Sequence, residues 1–182
     1  MSGARREALL RALDTYRGAE PGDEEAVSRF RKFLARDDPF RREDPDGHVT
    51  ASAVVAKPTG HEFLLVFHRK LDRWLQPGGH VESGDVTLFD TAVREAREET
   101  GISDFAAPLG DAILDLDVHA IPAFGADPAH SHFDVRFLLT VGGNGTPIRG
   151  ARWFPFAAVG PADTDGSLTR AVRKAALRLD RT

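Results

Sequence analysis

Three glutamates in one short segment of the chain could act together on a metal ion. The segment REAREETG, residues 94–101, places Glu95, Glu98 and Glu99 at positions i, i+3 and i+4, which lie on neighbouring turns of a helix. Like charges at this spacing repel in water by roughly 0.2–0.5 kcal/mol per pair, and most such helix faces are simply solvated. A hard cation such as Mg²⁺ changes that balance, because it takes carboxylate oxygens and substrate phosphates as ligands.

A glycine pair stands just before this segment. The sequence PGG at residues 77–79 ends a strand-like stretch, and ESGD at residues 82–85 reads as a loop. Glycine pairs permit positive φ angles and let the backbone approach a ligand closely. Thr87 and Asp90 fit a capping box, and Gly101 fits a left-handed C-cap, so a helix is predicted between them. The helix face predicted to pack on a sheet consists of Leu88, Ala92 and Ala96.

Residues 79–102 resemble the Nudix box, the signature of the Nudix hydrolase family. Its second half, R-E-U-x-E-E-x-G-U with U aliphatic, matches REAREETGI at every fixed position, with the small Ala96 at the first U. The first half departs twice, because Asp85 replaces a glutamate and eight residues rather than seven separate it from Arg94. Two alternatives remain open: Asp85 anchors the loop and contacts Arg94, or Glu82 takes the position of the family glutamate.

The resemblance implies hydrolysis of a nucleoside diphosphate linked to another moiety, with Mg²⁺ or Mn²⁺ as the cofactor. It implies that Glu98 and Glu99 are the principal metal ligands and that the carbonyl of Gly79 completes the site. Glu95 would be a metal ligand or the base that takes a proton from water. Arg94 would hold the glutamates in place through charge-assisted hydrogen bonds.

Other polar residues could contact an anionic substrate. Arg69 lies shortly before the glycine pair, and His119 lies in a segment rich in aspartates. His130 and His132 are two residues apart, so an extended chain places them on the same side, where they could bind phosphate or a metal ion. Surface imidazoles without such a role explain the pair equally well. The candidates for substrate binding are Arg69, His119 and His132.

The remaining pattern predicts the α/β class. Residues 1–45 carry two amphipathic helices and a linker, in which nothing indicates chemistry, and residues 46–182 form the domain that contains the box. Two roles fit the helical N-terminal extension: packing on the core, or packing against a second subunit in a homodimer. Strands, a helix, further strands and a closing helix follow. With the resemblance, this order implies a Nudix-like α/β/α sandwich with a mixed sheet.

Two local features of the later part of the chain carry further expectations. Apolar and polar residues alternate over residues 111–120, which predicts a half-buried strand. Its polar side would form a solvated acidic edge containing Asp115 and Asp117, which could supply an extra carboxylate to the metal. The closing helix is predicted over residues 167–179, with Ser167 as its N-cap.

Composition excludes several classes. The absence of cysteine rules out disulfides, thiolate zinc sites and a cysteine nucleophile, and with the last an isoprenyl diphosphate isomerase of the Nudix fold. A net charge of −4 gives no support to nucleic-acid binding. No apolar run is long enough to span a membrane, and charges occupy the N-terminus where a signal peptide would be apolar. The chain is therefore predicted to be soluble and cytoplasmic.

The predicted function is divalent-metal-dependent cleavage of a diphosphate linkage in a nucleotide-like substrate. A second hypothesis is a non-catalytic Nudix-fold sensor or partner-binding module, which would be expected to have lost a helix glutamate; none is lost. Two family subgroup signatures are absent. A proline about fifteen residues after the box would stand at position 117, where this chain has Asp117, and a tyrosine near the box is missing because Tyr16 is the only tyrosine. The substrate stays open.

Overall fold

The computed structural model describes residues 2–18, 20–69, 71–125, 128–142, 145–162 and 166–180. Two helices, α1 (Ser2–Thr15) and α2 (Asp23–Phe33), come first. In the described residues, the sheet has eight strands: β1 (Gly47–Ala56), β2 (Glu62–His68), β3 (Arg73–Leu75), β4 (Gly78–His80), β5 (Phe105–Ala106), β6 (Asp115–Ile121), β7 (His130–Val141) and β8 (Ala151–Pro155). The remaining helices are α3 (Leu88–Thr100), α4 (Phe156–Ala162) and α5 (Ser167–Leu179).

The sheet is mixed and has β1 at its centre. Its main path runs β3-β2-β1-β7-β5, while β4 pairs with β1, β6 with β7 and β8 with β2. The pairing of β1 with β7 is parallel and every other pairing is antiparallel. All ten residues of β1 are buried, as expected for a strand covered on both faces.

Helices cover the two faces of the sheet. Buried residues of α1, α2 and α3 share one apolar cluster with β1 and β7, and buried residues of α5 form a second cluster on the other face. Phe33 of α2 stacks on Phe133 of β7 at a centroid separation of 3.9 Å, and Phe30 meets the same ring edge-on at 5.4 Å. The predicted α/β/α sandwich with a mixed sheet is confirmed. The N-terminal helices pack on the core, while a domain boundary at residue 45 and a homodimer stay predictions.

Helix α3 begins and ends where its sequence signals predict. The Thr87 hydroxyl accepts a hydrogen bond from the Asp90 amide at 3.1 Å, and the Asp90 carboxylate accepts one from the Thr87 amide at 2.8 Å. Gly101 ends the helix with φ 72° and donates its amide to the carbonyl of Arg97. The predicted apolar face is buried against the sheet and consists of Leu88, Ala92 and Ala96.

The expectation of a solvated acidic edge on β6 is wrong. Strand β6 begins only at Asp115, which is fully buried, and Asp117 is buried beside it. Their carboxylates pair with three cations, because this side of the strand faces α5 rather than water: Arg136 of β7, and Arg170 and Lys174 of α5. Their oxygens are committed to these cations, which does not favour an added role at the metal site.

The predicted N-cap of α5 is also wrong. Gly166 occupies the N-cap position with φ 75°, and Ser167 is the first residue of the helix. The Ser167 hydroxyl accepts a hydrogen bond from Arg136 Nη2 at 2.7 Å instead. No helix in the described part of the chain combines the length and the apolar character needed to cross a membrane.

One buried ion cluster joins the N-terminal extension to the core. Lys174 Nζ lies 2.6 Å from a carboxylate oxygen of Asp23 in α2 and 2.6 Å from one of Asp115 in β6. It also donates to the Tyr16 hydroxyl at 3.0 Å. Burial alone would raise the pKa of Asp23, but hydrogen bonds from Lys174 and from the Glu20 amide outweigh it and hold that pKa below its usual range.

This cluster predicts a loss of stability in acid. A carboxyl group whose pKa is lowered by folding stabilises the protein above its unfolded pKa, 3.8 for Asp23, and that contribution is lost as the pH falls below this value. Asp23→Asn is therefore expected to lower the free energy of unfolding at pH 7 and to flatten its fall below about pH 4. Urea unfolding at several pH values measures both, with Asp37→Asn, at an exposed position, as the control. An unchanged pH profile in Asp23→Asn would contradict the prediction.

Candidate active site

The candidate site lies where α3 packs against β4. Glu99 is half-buried and accepts a hydrogen bond from the Gly78 amide at 3.0 Å. Glu95 reaches the next residue of the strand: a Cβ atom on Gly79 would lie 2.5 Å from a carboxylate oxygen of Glu95. Glu98 is largely exposed at the outer side of the helix. The helix thus presents two half-buried carboxylates to the strand and one to solvent.

The glycine pair is needed for space, not for unusual backbone angles. Gly78 and Gly79 lie in strand β4 rather than in a loop, and neither has a positive φ. The positive φ expected for this pair is therefore wrong, and close approach to a ligand stays a prediction; the close neighbours seen are protein side chains. A Cβ on Gly78 would overlap the side chain of Ser52 on β1, and one on Gly79 would overlap Glu95. A larger residue at Gly78 would therefore disturb the pairing of β4 with β1, and one at Gly79 would displace the Glu95 carboxylate.

Arg94 connects the carboxylates to the strand. Its Nη1 atom donates to Glu95 at 2.8 Å and to Glu98 at 3.3 Å. Its Nη2 atom donates to the backbone carbonyl of His80 at 2.8 Å. One rigid guanidinium therefore joins two carboxylates to β4. These contacts agree with the positioning role that the resemblance implies for Arg94, which stays a prediction.

Asp85, not Glu82, contacts Arg94 closely. The Asp85 carboxylate accepts two hydrogen bonds from Arg94, at 3.1 and 3.0 Å, and further ones from the Glu82 amide and the Thr91 hydroxyl, both at 2.9 Å. The side chain of Glu82 is exposed and its carboxylate stays 3.8 Å from Arg94. This geometry agrees with the first of the two sequence alternatives, in which Asp85 anchors the loop and Arg94.

Arg5 of α1 supports the same loop, and sequence analysis missed it. Its buried guanidinium donates to the backbone carbonyls of Asp85 and Glu82, the latter at 2.9 Å. Nothing in the N-terminal extension indicated chemistry, yet one of its side chains holds the loop that positions Arg94. A local pattern could not reveal this contact, because the bonded residues are 77 and 80 positions apart.

Two carboxylates of the site, those of Glu95 and Glu99, have raised pKa values and so resist ionisation. Burial raises the pKa of Glu99 to about 7, and the nearby charges of Glu95 and Glu98 add to that effect, although the Gly78 amide opposes it. Burial also raises the pKa of Glu95, against the opposing influence of Arg94. A bound cation would favour the charged forms, so cation binding here should release protons. Three carboxylates and the Gly79 carbonyl offer only oxygen ligands, which fits Mg²⁺ or Mn²⁺.

A cavity of about 590 Å³ opens beside β4. Residues of the linker before β1 and of strands β1, β4 and β7 line it, among them Arg42, His48, His80 and His132. His80 connects this cavity to the glutamates, since its side chain lines the cavity while its carbonyl accepts the hydrogen bond from Arg94. The three glutamates of α3 are not among the residues that line the cavity.

The three predicted substrate-binding residues differ in position. His132 lines the cavity, as that role requires. His119 does not line it, but its ring packs against His132 at a centroid separation of 5.6 Å, and its Nδ1 lies 2.8 Å from an Asp117 oxygen. Burial would lower the pKa of His119, and the bond to Asp117 raises it overall. Arg69 is exposed and is not among the residues lining the cavity. Their roles stay predictions.

Comparison with known families decides the family. The sequence matches the family model of the NUDIX domain over residues 46–174. The chain belongs to the Nudix family. This match spans most of the chain and contains helix α3, with its three glutamates and Arg94, and the strands before and after it, β4 and β5. The resemblance read from residues 79–102 is therefore confirmed.

Solved structures with the Nudix fold are similar in shape and distant in sequence. The Escherichia coli dihydroneopterin triphosphate pyrophosphohydrolase aligns with a TM-score of 0.55 and 17% identity, covering 74% of this chain and 97% of that one. A Caenorhabditis elegans Ap4A hydrolase aligns with a TM-score of 0.52 and 19% identity, covering 72% and 97%. Shewanella oneidensis NrtR aligns at 0.51 and 19%, covering 73% and 63%. Comparison with curated protein sequences returned no match. These likenesses support the fold alone.

The departure from the Nudix box can be tested by mutation. Asp85→Ala removes four hydrogen bonds that fix the loop and Arg94, so it should lower the free energy of unfolding by about 1–3 kcal/mol and reduce activity. Glu82→Ala is the matched control and should leave both nearly unchanged, because that side chain is exposed. Thermal unfolding and hydrolysis rates measure the two effects. If Glu82→Ala abolished activity in a folded protein, Glu82 would be the residue that replaces the family glutamate.

Proposed function

We propose that this Nudix protein is a divalent-metal-dependent hydrolase that cleaves a diphosphate linkage in a nucleoside-diphosphate-linked or related nucleotide substrate. One observation carries the proposal: two half-buried glutamates of α3 meet the glycine pair of β4. Glu99 accepts a hydrogen bond from the Gly78 amide, and Glu95, which Arg94 holds in place, lies against Gly79. Burying carboxylates that repel one another is costly. A hard cation and a phosphate-bearing substrate give a reason for that arrangement.

Each residue of the site has a defined part in the proposed reaction. Glu98 and Glu99 would be the principal ligands of Mg²⁺ or Mn²⁺, with the Gly79 carbonyl beside them. Glu95 would be a further ligand or the base. Arg94 is a positioning residue, because its guanidinium holds Glu95 and Glu98 in place and binds β4. The bound cation would offset negative charge on the phosphate oxygens and lower the pKa of a water molecule.

The proposed reaction is hydrolysis of the P–O–P linkage by one water molecule. The oxygen of a water molecule attacks one phosphorus of the diphosphate, and the bridging P–O bond breaks on the far side of that phosphorus. One proton of the water passes to a carboxylate of the site and then to solvent, and the two phosphate-bearing products leave. The cavity beside His80 would hold the nucleotide-like part of the substrate, with Arg42 and His132 available to its anionic groups.

A substrate panel separates this function from a non-catalytic sensor. The panel contains ADP-ribose, dinucleoside polyphosphates, nucleoside triphosphates, dihydroneopterin triphosphate and coenzyme A, each with Mg²⁺, with Mn²⁺ and with EDTA. We expect phosphate-containing products from at least one compound, only with a metal ion. Binding of a panel compound without any turnover would favour the sensor, which is the alternative function of this fold.

A further inference from the structure

His48 is a buried imidazole whose hydrogen-bonding capacity is unused. Its side chain is 1% exposed, and neither Nδ1 nor Nε2 has a hydrogen-bond partner. A neutral imidazole carries one donor and one acceptor, and burying both without partners costs free energy. His48 nevertheless lines the cavity beside β4. A bound ligand or metal ion that contacts a ring nitrogen of His48 would offset this cost, which the surrounding protein side chains do not.

Two further histidines face His48 from strand β7. The parallel register of β1 and β7 places His132 directly opposite His48, and His130 lies two residues earlier on the same side. One ligand nitrogen from each of the three rings lies within 4.8 Å of the other two. Among the described residues, no other three histidine or carboxylate side chains bring their ligand atoms so close together. The three glutamates of α3 do not.

The separation of the two β7 nitrogens fits a metal ion. Nε2 of His130 and Nε2 of His132 are 3.3 Å apart. Two nitrogens bound about 2.0–2.1 Å from a tetrahedral ion lie about 3.3–3.4 Å from each other. The His48 nitrogen lies within 4.8 Å of the other two, so it would have to move by at most about 1.5 Å to reach the same spacing. The trio therefore needs little rearrangement.

His130 is already oriented as a metal ligand. Its Nδ1 lies 2.8 Å from the carbonyl oxygen of Pro128, and because a carbonyl can only accept, Nδ1 carries the proton. The lone pair therefore sits on Nε2, the atom that faces His132. Hydrogen bonding of the distal ring nitrogen to a carbonyl is the usual way in which proteins fix the tautomer of a metal-bound histidine.

We propose that His48, His130 and His132 form a binding site for a divalent transition metal ion of the Zn²⁺ class, separate from the glutamate site of α3. Neutral imidazoles suit Zn²⁺, Co²⁺, Ni²⁺ and Cu²⁺, whereas Mg²⁺ prefers oxygen ligands. With three protein ligands, the ion keeps a fourth position, and that position faces the cavity. A water molecule or an anionic oxygen of a bound ligand would occupy it.

The test measures metal binding rather than hydrolysis. The full chain, without a histidine tag and treated with a chelator, is titrated with Co²⁺ and with Zn²⁺ in a Glu99→Gln background, which weakens the glutamate site. We expect one Co²⁺ per chain, with visible absorption typical of a tetrahedral nitrogen site, and displacement by Zn²⁺. His130→Ala should weaken Co²⁺ binding at least about 100-fold, because losing a ligand costs more than losing a supporting residue.

Two further variants make the test decisive. His48→Gln should weaken binding similarly, and a thermal unfolding measurement shows whether each variant is folded. His61→Ala, at an exposed position on the loop before β2, should bind Co²⁺ like the parent. Equal Co²⁺ affinity in His130→Ala, His48→Gln and the parent would overturn the proposal. So would Co²⁺ binding that is lost with Glu99→Gln alone, and neither result depends on whether the protein hydrolyses a diphosphate.

Discussion

Glu99→Gln is expected to lower the hydrolytic rate constant by about two to three orders of magnitude, a loss typical of removing one electrostatic contact to the reacting centre. The substitution keeps the size of the side chain and replaces one carboxylate oxygen by an amide nitrogen. The accepting oxygen for the Gly78 amide can be retained, so the contact between α3 and β4 should survive. The negative charge that attracts the divalent cation is lost.

The same variant should bind the cation more weakly and should not unfold. Because burial raises the pKa of Glu99, removing its charge relieves a cost of folding at neutral pH and above, and the free energy of unfolding should stay equal or rise. Titration with Mn²⁺ and thermal unfolding measure the two quantities beside the rate. A fall in activity together with unchanged stability would place the defect in the site rather than in the fold.

Glu82→Gln is the matched control for this experiment. Glu82 is also a glutamate near Arg94, but its side chain is exposed and its carboxylate lies 3.8 Å from the guanidinium. Its substitution should leave the rate within about twofold, as expected for a surface charge. If Glu99→Gln retained full activity against every hydrolysed substrate, the metal chemistry would have to lie elsewhere, and the assignment of Glu99 would be wrong.

The predictable part of this molecule is the part encoded by local signals. Helix α3 is defined by residues within a few positions of one another: the capping box of Thr87 and Asp90 at one end and Gly101 at the other. The glutamates inherit their positions from that helix, so sequence alone indicates which carboxylates can act together. The family pattern adds the strand that faces them.

The unpredicted part consists of contacts between distant residues. Arg5 reaches a loop about 80 positions away, and His48 meets His132 through the parallel pairing of β1 with β7. The alternation in β6 showed an apolar and a polar face but not that the polar face is buried too, so Asp115 appeared solvated. Burial of a charged residue depends on the cations opposite it, and these come from β7 and α5. No pattern within β6 contains that information.

Arg136→Met is expected to lower the free energy of unfolding by about 3–5 kcal/mol, the cost of leaving buried charges without a partner. The Arg136 side chain is 3% exposed and lies 3.1 Å from Asp115, 3.1 Å from Asp134 and 3.2 Å from Asp117. Methionine fills much of the same space, so the loss would come from charge and hydrogen bonds rather than from a cavity. For a chain of this size, the midpoint of thermal unfolding should fall by about 6–20 °C.

The explanation by unpaired carboxylates can itself be tested. Asp134 is bonded by Thr50, Ser52 and Arg136, so Asp134→Asn in the Arg136→Met background removes one stranded charge while keeping oxygen and nitrogen atoms for hydrogen bonds. The double variant should therefore be more stable than Arg136→Met alone, a non-additive result of the kind that contacting residues give. Arg149→Met, at an exposed position, should change the midpoint little. If Arg136→Met unfolded at the same temperature as the parent, the ion pairs of Arg136 with Asp115, Asp117 and Asp134 would not stabilise the fold, and the prediction would be wrong.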